Sequence, residues 1–246
     1  MAAPAPEAPA TPTSTPVLTD LARLVRSPFT PRRVYEEQSE HPTYWIPWLI
    51  VSVVFAVLQL LQRPFQGRVR EIILEHLQRP VPAPASLGAA AGIGLVSSAF
   101  MVLLFSAIAA GIFYVLVVSF GGETTFKKMM TVAIFAWPIV LLQQLLVWLA
   151  LSIRGVDAIS SIWDVQVSFG VDLLLPSGAS LSPFLRLFLA GIGPLALWQA
   201  FITATGIMVL GKTKPGAAWL IAVVQILVIL SLLAALGAFG IRAAGG

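Results

Sequence analysis

The chain contains no cysteine, which removes disulfides, thiolate-held metals and cysteine nucleophiles as explanations of anything it does. Charge is scarce as well. Asp, Glu, Lys and Arg make up 11% of the 246 residues while 58% are hydrophobic, whereas an ordinary soluble domain is about a quarter charged. Only two histidines are present, His41 and His76. There is no H-E-x-x-H, no G-x-x-x-x-G-K-[ST] and no Asp pair inside an apolar run. Membrane zinc proteases, P-loop nucleotide sites and intramembrane aspartyl proteases are thereby excluded. The central parts of the long apolar runs hold no Asp, Glu, Lys or His, the groups that intramembrane chemistry depends on. Gly92-x-Gly94 and Gly191-x-Gly193 lack the strand a nucleotide fold requires, and Glu75-His76 is an isolated pair. Catalytic, cofactor-binding and metal-binding residues are therefore expected to be none. The formal charge of +4 does not imply a nucleic-acid partner, because the basic residues are scattered through short segments beside apolar runs.

What the chain does have is apolar runs of membrane length, since a hydrocarbon core about 30 Å thick takes roughly 20 helical residues. Five spans are expected, at about 44–61, 97–119, 129–151, 184–210 and 217–238. The fold class is an all-α membrane protein, a bundle of five transmembrane helices with short interfacial helices. Residues 1–18 are rich in Pro, Ala and Thr and are expected to be a disordered extension rather than a signal peptide, because no basic start and apolar run precede the first span. Residues 19–43 read as an interfacial amphipathic segment. Leu21, Leu24 and Val25 share a face there, and Thr30-Pro31 looks like an N-cap and first helical position. Arg23, Arg26, Arg32 and Arg33 are expected at lipid headgroups, with a solvated charged stretch as the alternative.

Arg63-Pro64 is expected to end the first span. Beyond it Phe65, Val69, Ile72, Ile73 and Leu77 form one helical stripe, predicting a separate interfacial helix ended by Pro80, Pro82 and Pro84. Pro138 interrupts the third span, and Gly191-Ile192-Gly193-Pro194 the fourth. From 163 to 172 apolar and polar residues alternate, which fits either an extended segment over the bundle or a short helix. With an odd number of spans the termini lie on opposite sides. Eight Lys and Arg fall on the N-terminal side and seven on the other, and the paired lysines of both tight turns favour a cytoplasmic N-terminus.

The intramembrane positions that stand out are Pro138, Gln143, Gln144, Pro194 and Gln199, with Gln59, Thr203, Thr205 and Gln225 beside them. A carrier can work with broken helices and neutral polar groups. Equally, such residues join helices through hydrogen bonds worth about 0.6 kcal/mol each.

Three stretches resemble the Yip (Ypt/Rab-interacting protein) domain family, in particular its bacterial branch. They are SPFTPRRVYEEQSEHPTYWIP from Ser27 to Pro47, GGETTFKKMMTVAIFAWPIVLL from Gly121 to Leu142, and Phe188 to Lys212 with Trp198 and Gly206. The likeness covers about 27–240, making 44–240 a five-helix Yip-like domain. It implies a non-enzymatic membrane organiser or adaptor of the bacterial inner membrane. Its partners are the lipid bilayer, itself or other membrane proteins. GTPase binding is not carried over, because the longer cytosolic region that supports it in eukaryotic members has no counterpart in the short N-terminal stretch. The turn Gly121, Gly122, Glu123, Phe126, Lys127 and Lys128 is the expected cytoplasmic interaction site. The alternative is a small-solute channel or carrier. An enzyme acting at the interface through Glu71, Glu75 and His76 has least support, since interfacial helices are usually anchors.

Overall fold

The computed structural model describes residues 16–78, 80, 87–175 and 181–243. Nine α-helices appear among them: α1 (Pro16–Arg26), α2 (Pro31–Glu37), α3 (Trp45–His76), α4 (Leu87–Ser119), α5 (Phe126–Phe135), α6 (Trp137–Arg154), α7 (Pro183–Gly191), α8 (Pro194–Leu210) and α9 (Pro215–Ala243). No strand occurs among the described residues. The expected extension lies outside them except for residues 16–18, which open α1.

Four stretches are long and apolar enough to cross a membrane: Trp45–His76, Ala91–Ser119, Phe126–Arg154 and Pro215–Ile241. A fifth crossing forms if α7 and α8, bent by 59° across Ile192 and Gly193, count as one broken span. The breaks have local causes. Pro138 lacks the N–H that would continue a helix through Ala136, and Pro194 does the same after Gly193.

The main core is built around α5, whose residues Met129 to Phe135 are all buried. Val34 and Tyr35 of α2 pack there with Phe113 and Val117 of α4, Ile202 and Ile207 of α8, and Ile221 of α9. The outward faces of α4 and α9 carry Ile93, Val96, Phe100, Leu236 and Phe239, all exposed. A helix apolar all round suits a membrane, because lipid chains accept what water rejects.

Two expectations are corrected. No break occurs at Arg63-Pro64: α3 runs on as one helix with Pro64 inside it. The stripe assigned to the lipid interface is used within the protein instead, where Phe65, Val69 and Ile72 pack with Leu151, Ile159, Val165 and Val167. Burial against another segment holds the helix through the proline. Thr30 is the N-cap residue of α2 with Pro31 opening the helix, as expected, although its hydroxyl donates back to the Arg26 carbonyl at 3.3 Å rather than capping by its side chain.

The alternating segment is neither a strand nor a regular helix. Short 3-10 turns at Ile162–Val165 and Val171–Leu174 flank an extended strap at 166–169. The strap docks on the α7–α8 break, where the Val171 N–H donates to the Ile192 carbonyl at 2.9 Å. Gly170 lies against the Leu189 and Ala190 carbonyls and Gly193 against the Phe169 carbonyl, with no room for a Cβ at either, so the docking depends on glycine at both.

Candidate functional site

The turn between α4 and α5 does not stand alone. Gly121 adopts a positive φ of 76° that ends α4, and Thr125 caps α5 by accepting from the Lys128 N–H at 3.3 Å. The turn is tied to the one between α8 and α9. Glu123 N–H donates to the Gly211 carbonyl at 3.1 Å, Thr124 Oγ1 donates to the Leu210 carbonyl at 3.3 Å, and Lys212 Nζ meets Glu123 Oε2 at 3.1 Å. A Cβ on Gly122 would sit 2.6 Å from the Gly211 oxygen, so only glycine allows this approach. The result is one fixed surface bearing Lys127, Lys128, Lys212 and Lys214, with Phe126 exposed beside them.

The α1–α2 hairpin is carried by the same two helices, α5 and α8. Ser27 Oγ donates to the Phe135 carbonyl at 3.0 Å, Trp198 Nε1 donates to the Pro28 carbonyl at 2.9 Å, and Phe29 meets Trp198 edge-on at 5.9 Å. Tyr35 is fully buried between Val132, Phe135 and Gly206, and burial pushes its hydroxyl well above the usual phenol range. The four arginines expected at headgroups each pair within the hairpin: Arg23 with Asp20 and Glu37, Arg26 with Glu37, Arg32 with Glu36, Arg33 with Glu37. Their charge is thus largely balanced by local carboxylates. Leu18, Leu21, Val25 and Phe29 remain exposed.

In the other half of the bundle the polar residues gather. A cavity of about 370 Å³ is lined by Gln59, Ser106, Trp137, Gln144, Gln199, Thr203 and Gln225 among aromatic and aliphatic side chains. A smaller one of about 70 Å³, walled by Gln143 and Gly191, shares Gln199 and Gln225 with it. A groove of about 560 Å³ borders both, sharing Gln144 with the first and Gln143 with the second, and is lined elsewhere by Arg154, Ser168, Asp172 and Arg186. Gln62 Nε2 donates to Gln144 Oε1 at 3.0 Å, and Trp137 Nε1 to Ser106 Oγ at 2.8 Å. At the groove the Arg186 guanidinium lies over the Trp163 ring, 4.7 Å from its centroid, and Ser168 donates to Asp172. Asp164, in the loop before the strap, accepts from the N–H groups of Ser160 and Ser161 and the Ser160 hydroxyl. These bonds hold its carboxyl down at about 2.

The sequence candidates therefore fall into two groups. Gln143, Gln144 and Gln199, from two places in the chain, line neighbouring cavities, while Pro138 and Pro194 set the breaks next to them. Gln59, Thr203 and Gln225 join the first group. Thr205 does not, since its hydroxyl donates to the Phe201 carbonyl at 2.8 Å within its own helix. Residues Gly121 to Lys128 form the second group at the joined turns. Among the described residues no cluster of three or more His, Asp or Glu is arranged to hold a metal ion.

The profile of the Yip1 domain matches residues 25–236. The chain belongs to the Yip1 family. It is also similar to the protein described as "Membrane protein YknW" of Bacillus subtilis (strain 168), with 28% identity over 221 residues covering 84% of this chain and 87% of that one. No solved structure matches it. The Yip1 chain is accordingly a multi-pass integral membrane protein of a family not known for enzymes.

Sequence reading had no means of finding Gln62, Ser106 and Trp137 of the cavity region, or the groove residues Asp172 and Arg186 as a pair of walls. One signal was present in outline: five glutamines inside apolar runs of a chain otherwise almost free of polar residues there.

Proposed function

We propose that this Yip1 chain is a non-enzymatic membrane organiser or adaptor, binding other membrane proteins or lipids at the surface built on α5 and α8. The observation that carries the reading is the joined pair of turns. Two connections far apart in sequence are held together by a backbone hydrogen bond, a side-chain hydrogen bond and an ion pair. Such a connection gives four lysines and Phe126 a fixed relative placement, which a recognition surface needs and a mere linker does not. The hairpin α1–α2 extends the surface with its exposed apolar residues. We place this surface in the cytoplasm and the chain in a bacterial inner membrane.

The test is cross-linking mass spectrometry on intact native membranes, reading neighbours of Lys127, Lys128, Lys212 and Lys214. Recurrent protein neighbours that disappear in a Lys127→Glu, Lys128→Glu double variant support the reading; repeated absence of any neighbour overturns it. Orientation is tested separately. Because the chain has no cysteine, single cysteines report cleanly: Thr213→Cys is expected to resist an impermeant maleimide in intact cells, and Ser160→Cys to react.

The linked cavities favour a second reading, a small-solute carrier whose path runs from the groove at Arg154 and Asp172 inward past Gln143. Liposome flux of a neutral solute that falls in Gln143→Leu, Gln144→Leu supports it. Flux unchanged by that pair removes it.

A further inference from the structure

A buried hydroxyl or carboxamide without a partner is destabilising in a low-dielectric interior. Thr203 of α8 is 1% exposed and Gln225 of α9 is 6% exposed, and among the described residues neither side chain hydrogen-bonds to the protein. Every fully enclosed polar side-chain atom among the described residues does have a partner. The polar atoms of Thr203 and Gln225 therefore reach open space, and the space they line is the cavity of about 370 Å³. Gln199 stands in the same wall and is likewise unpartnered.

The chemistry of the lining restricts the occupant. No titratable side chain faces this cavity, so an ion inside it meets no counter-charge to offset its burial. Carboxamides and a hydroxyl donate and accept alike, which suits hydroxyl and carbonyl oxygens. Facing them are Phe55, Phe105, Phe113 and Ile229, an apolar wall. The volume lies within the range of small-ligand sites, roughly 300–1,000 Å³. The cavity also has a mouth on the lipid side: its rim residues Met101 of α4 and Leu233 of α9 are 44% and 45% exposed, and both lie inside membrane-length spans.

We propose that this cavity binds the head of an uncharged membrane lipid bearing a free hydroxyl and ester carbonyls, its acyl chains leaving between α4 and α9. Thr203, Gln199 and Gln225 bind the oxygens of that head. The absence of counter-charge discriminates against phosphate-bearing lipids. The site is separate from the joined turns, so its failure leaves the adaptor reading standing, and the reverse.

The experiment is native mass spectrometry of the full chain released from detergent micelles, with dioleoylglycerol, dioleoylphosphatidylglycerol or glycerol added in turn. One dioleoylglycerol per chain is expected, with phosphatidylglycerol bound far less. Thr203→Val with Gln225→Leu is expected to weaken the adduct roughly tenfold, the effect of two lost hydrogen bonds. These substitutions remove unpartnered polar groups at similar volume, so the double variant should melt no lower than the parent. Leu233→Trp, which narrows the mouth from an exposed position, is the second variant and should also reduce the adduct. The proposal is overturned if phosphatidylglycerol binds equally, if both variants keep the parent's adduct, or if no dioleoylglycerol adduct forms. Binding of glycerol without dioleoylglycerol overturns it too, by assigning the cavity to a solute from the aqueous phase.

Discussion

The two halves of this bundle solve the same problem, bringing helices together in lipid, with opposite side chains. Where α2, α5 and α8 meet, glycine and an aromatic ring do it: a Cβ on Gly206 would lie 2.7 Å from the Tyr35 ring, so the contact is closed to anything larger. Where α6, α8 and α9 meet, glutamines stand between the helices and linked cavities remain. In a solvent as apolar as the side chains, close approach rests on dispersion and so on small residues. Long carboxamides stand between the helices, and while Gln144 accepts from Gln62, those of Gln199 and Gln225 bring hydrogen-bonding capacity that the protein does not itself use. One half is thus closely packed, and the other leaves open space lined by polar groups.

The largest test of that contrast is truncation of the ring that fills the tight half. Tyr35→Ala is expected to cost about 4 kcal/mol, the range for emptying a packed aromatic site, measured by denaturant or thermal unfolding in detergent. Tyr35→Phe should cost under about 1 kcal/mol, because the hydroxyl lies 3.5 Å from the Val132 carbonyl, too far for a good hydrogen bond. A large loss from Tyr35→Phe would mean that polar contacts, not packing, hold this half. Gly206→Val comes next, at about 2–3 kcal/mol for overpacking against a ring that cannot move aside. The same assay reads it, and a neutral result would show the contact to be looser than described.

Smaller still is Trp198→Phe, which removes the hydrogen bond to Pro28 and should cost about 1 kcal/mol, with loosening of α1–α2 visible by hydrogen exchange. The open half should respond with the other sign. Thr203→Val is expected to be neutral or stabilising by a few tenths of a kcal/mol, since it removes a hydroxyl without a partner; a clear loss of stability would break the comparison.

The weakest effect concerns pH. The Asp164 carboxyl is held at about 2, below its ordinary 3.8, by bonds from Ser160 and Ser161. Its contribution to the order of that loop is complete above the unfolded value and is lost as pH falls from about 4 through about 2. Faster exchange of the Ser160 and Ser161 amides on acidification, absent in Asp164→Asn, checks it.

Much of the fold was legible because span length is set by bilayer thickness, and breaks at Gly121-Gly122, Pro138 and Gly191 to Pro194 are local backbone effects. The misreadings arose where tertiary contact overrides a local signal. Pro64 looked like a terminus but sits inside α3, because Phe65, Val69 and Ile72 find protein rather than the interface to pack on. The arginines of α1 and α2, expected at headgroups, are paired with carboxylates of the same hairpin, a tertiary detail that spacing alone did not give. The alternation of 163–172 left an extended segment and a short helix open; with no neighbouring strand among the described residues to pair with, its middle is an extended strap across a glycine break, and only tertiary contact chose between the two.

By itself the sequence determined that this is an integral membrane chain without charge at the centre of its spans, of the Yip1 kind, and named most of the glutamines that line the cavities. Run length and composition carry that information without any knowledge of packing. Only the tertiary structure decided which of those residues face one another. Helices apolar on nearly every side, such as α8 and α9, give little sequence signal for their rotation about their own axes, and that rotation is what turns Gln199, Thr203 and Gln225 toward one shared cavity.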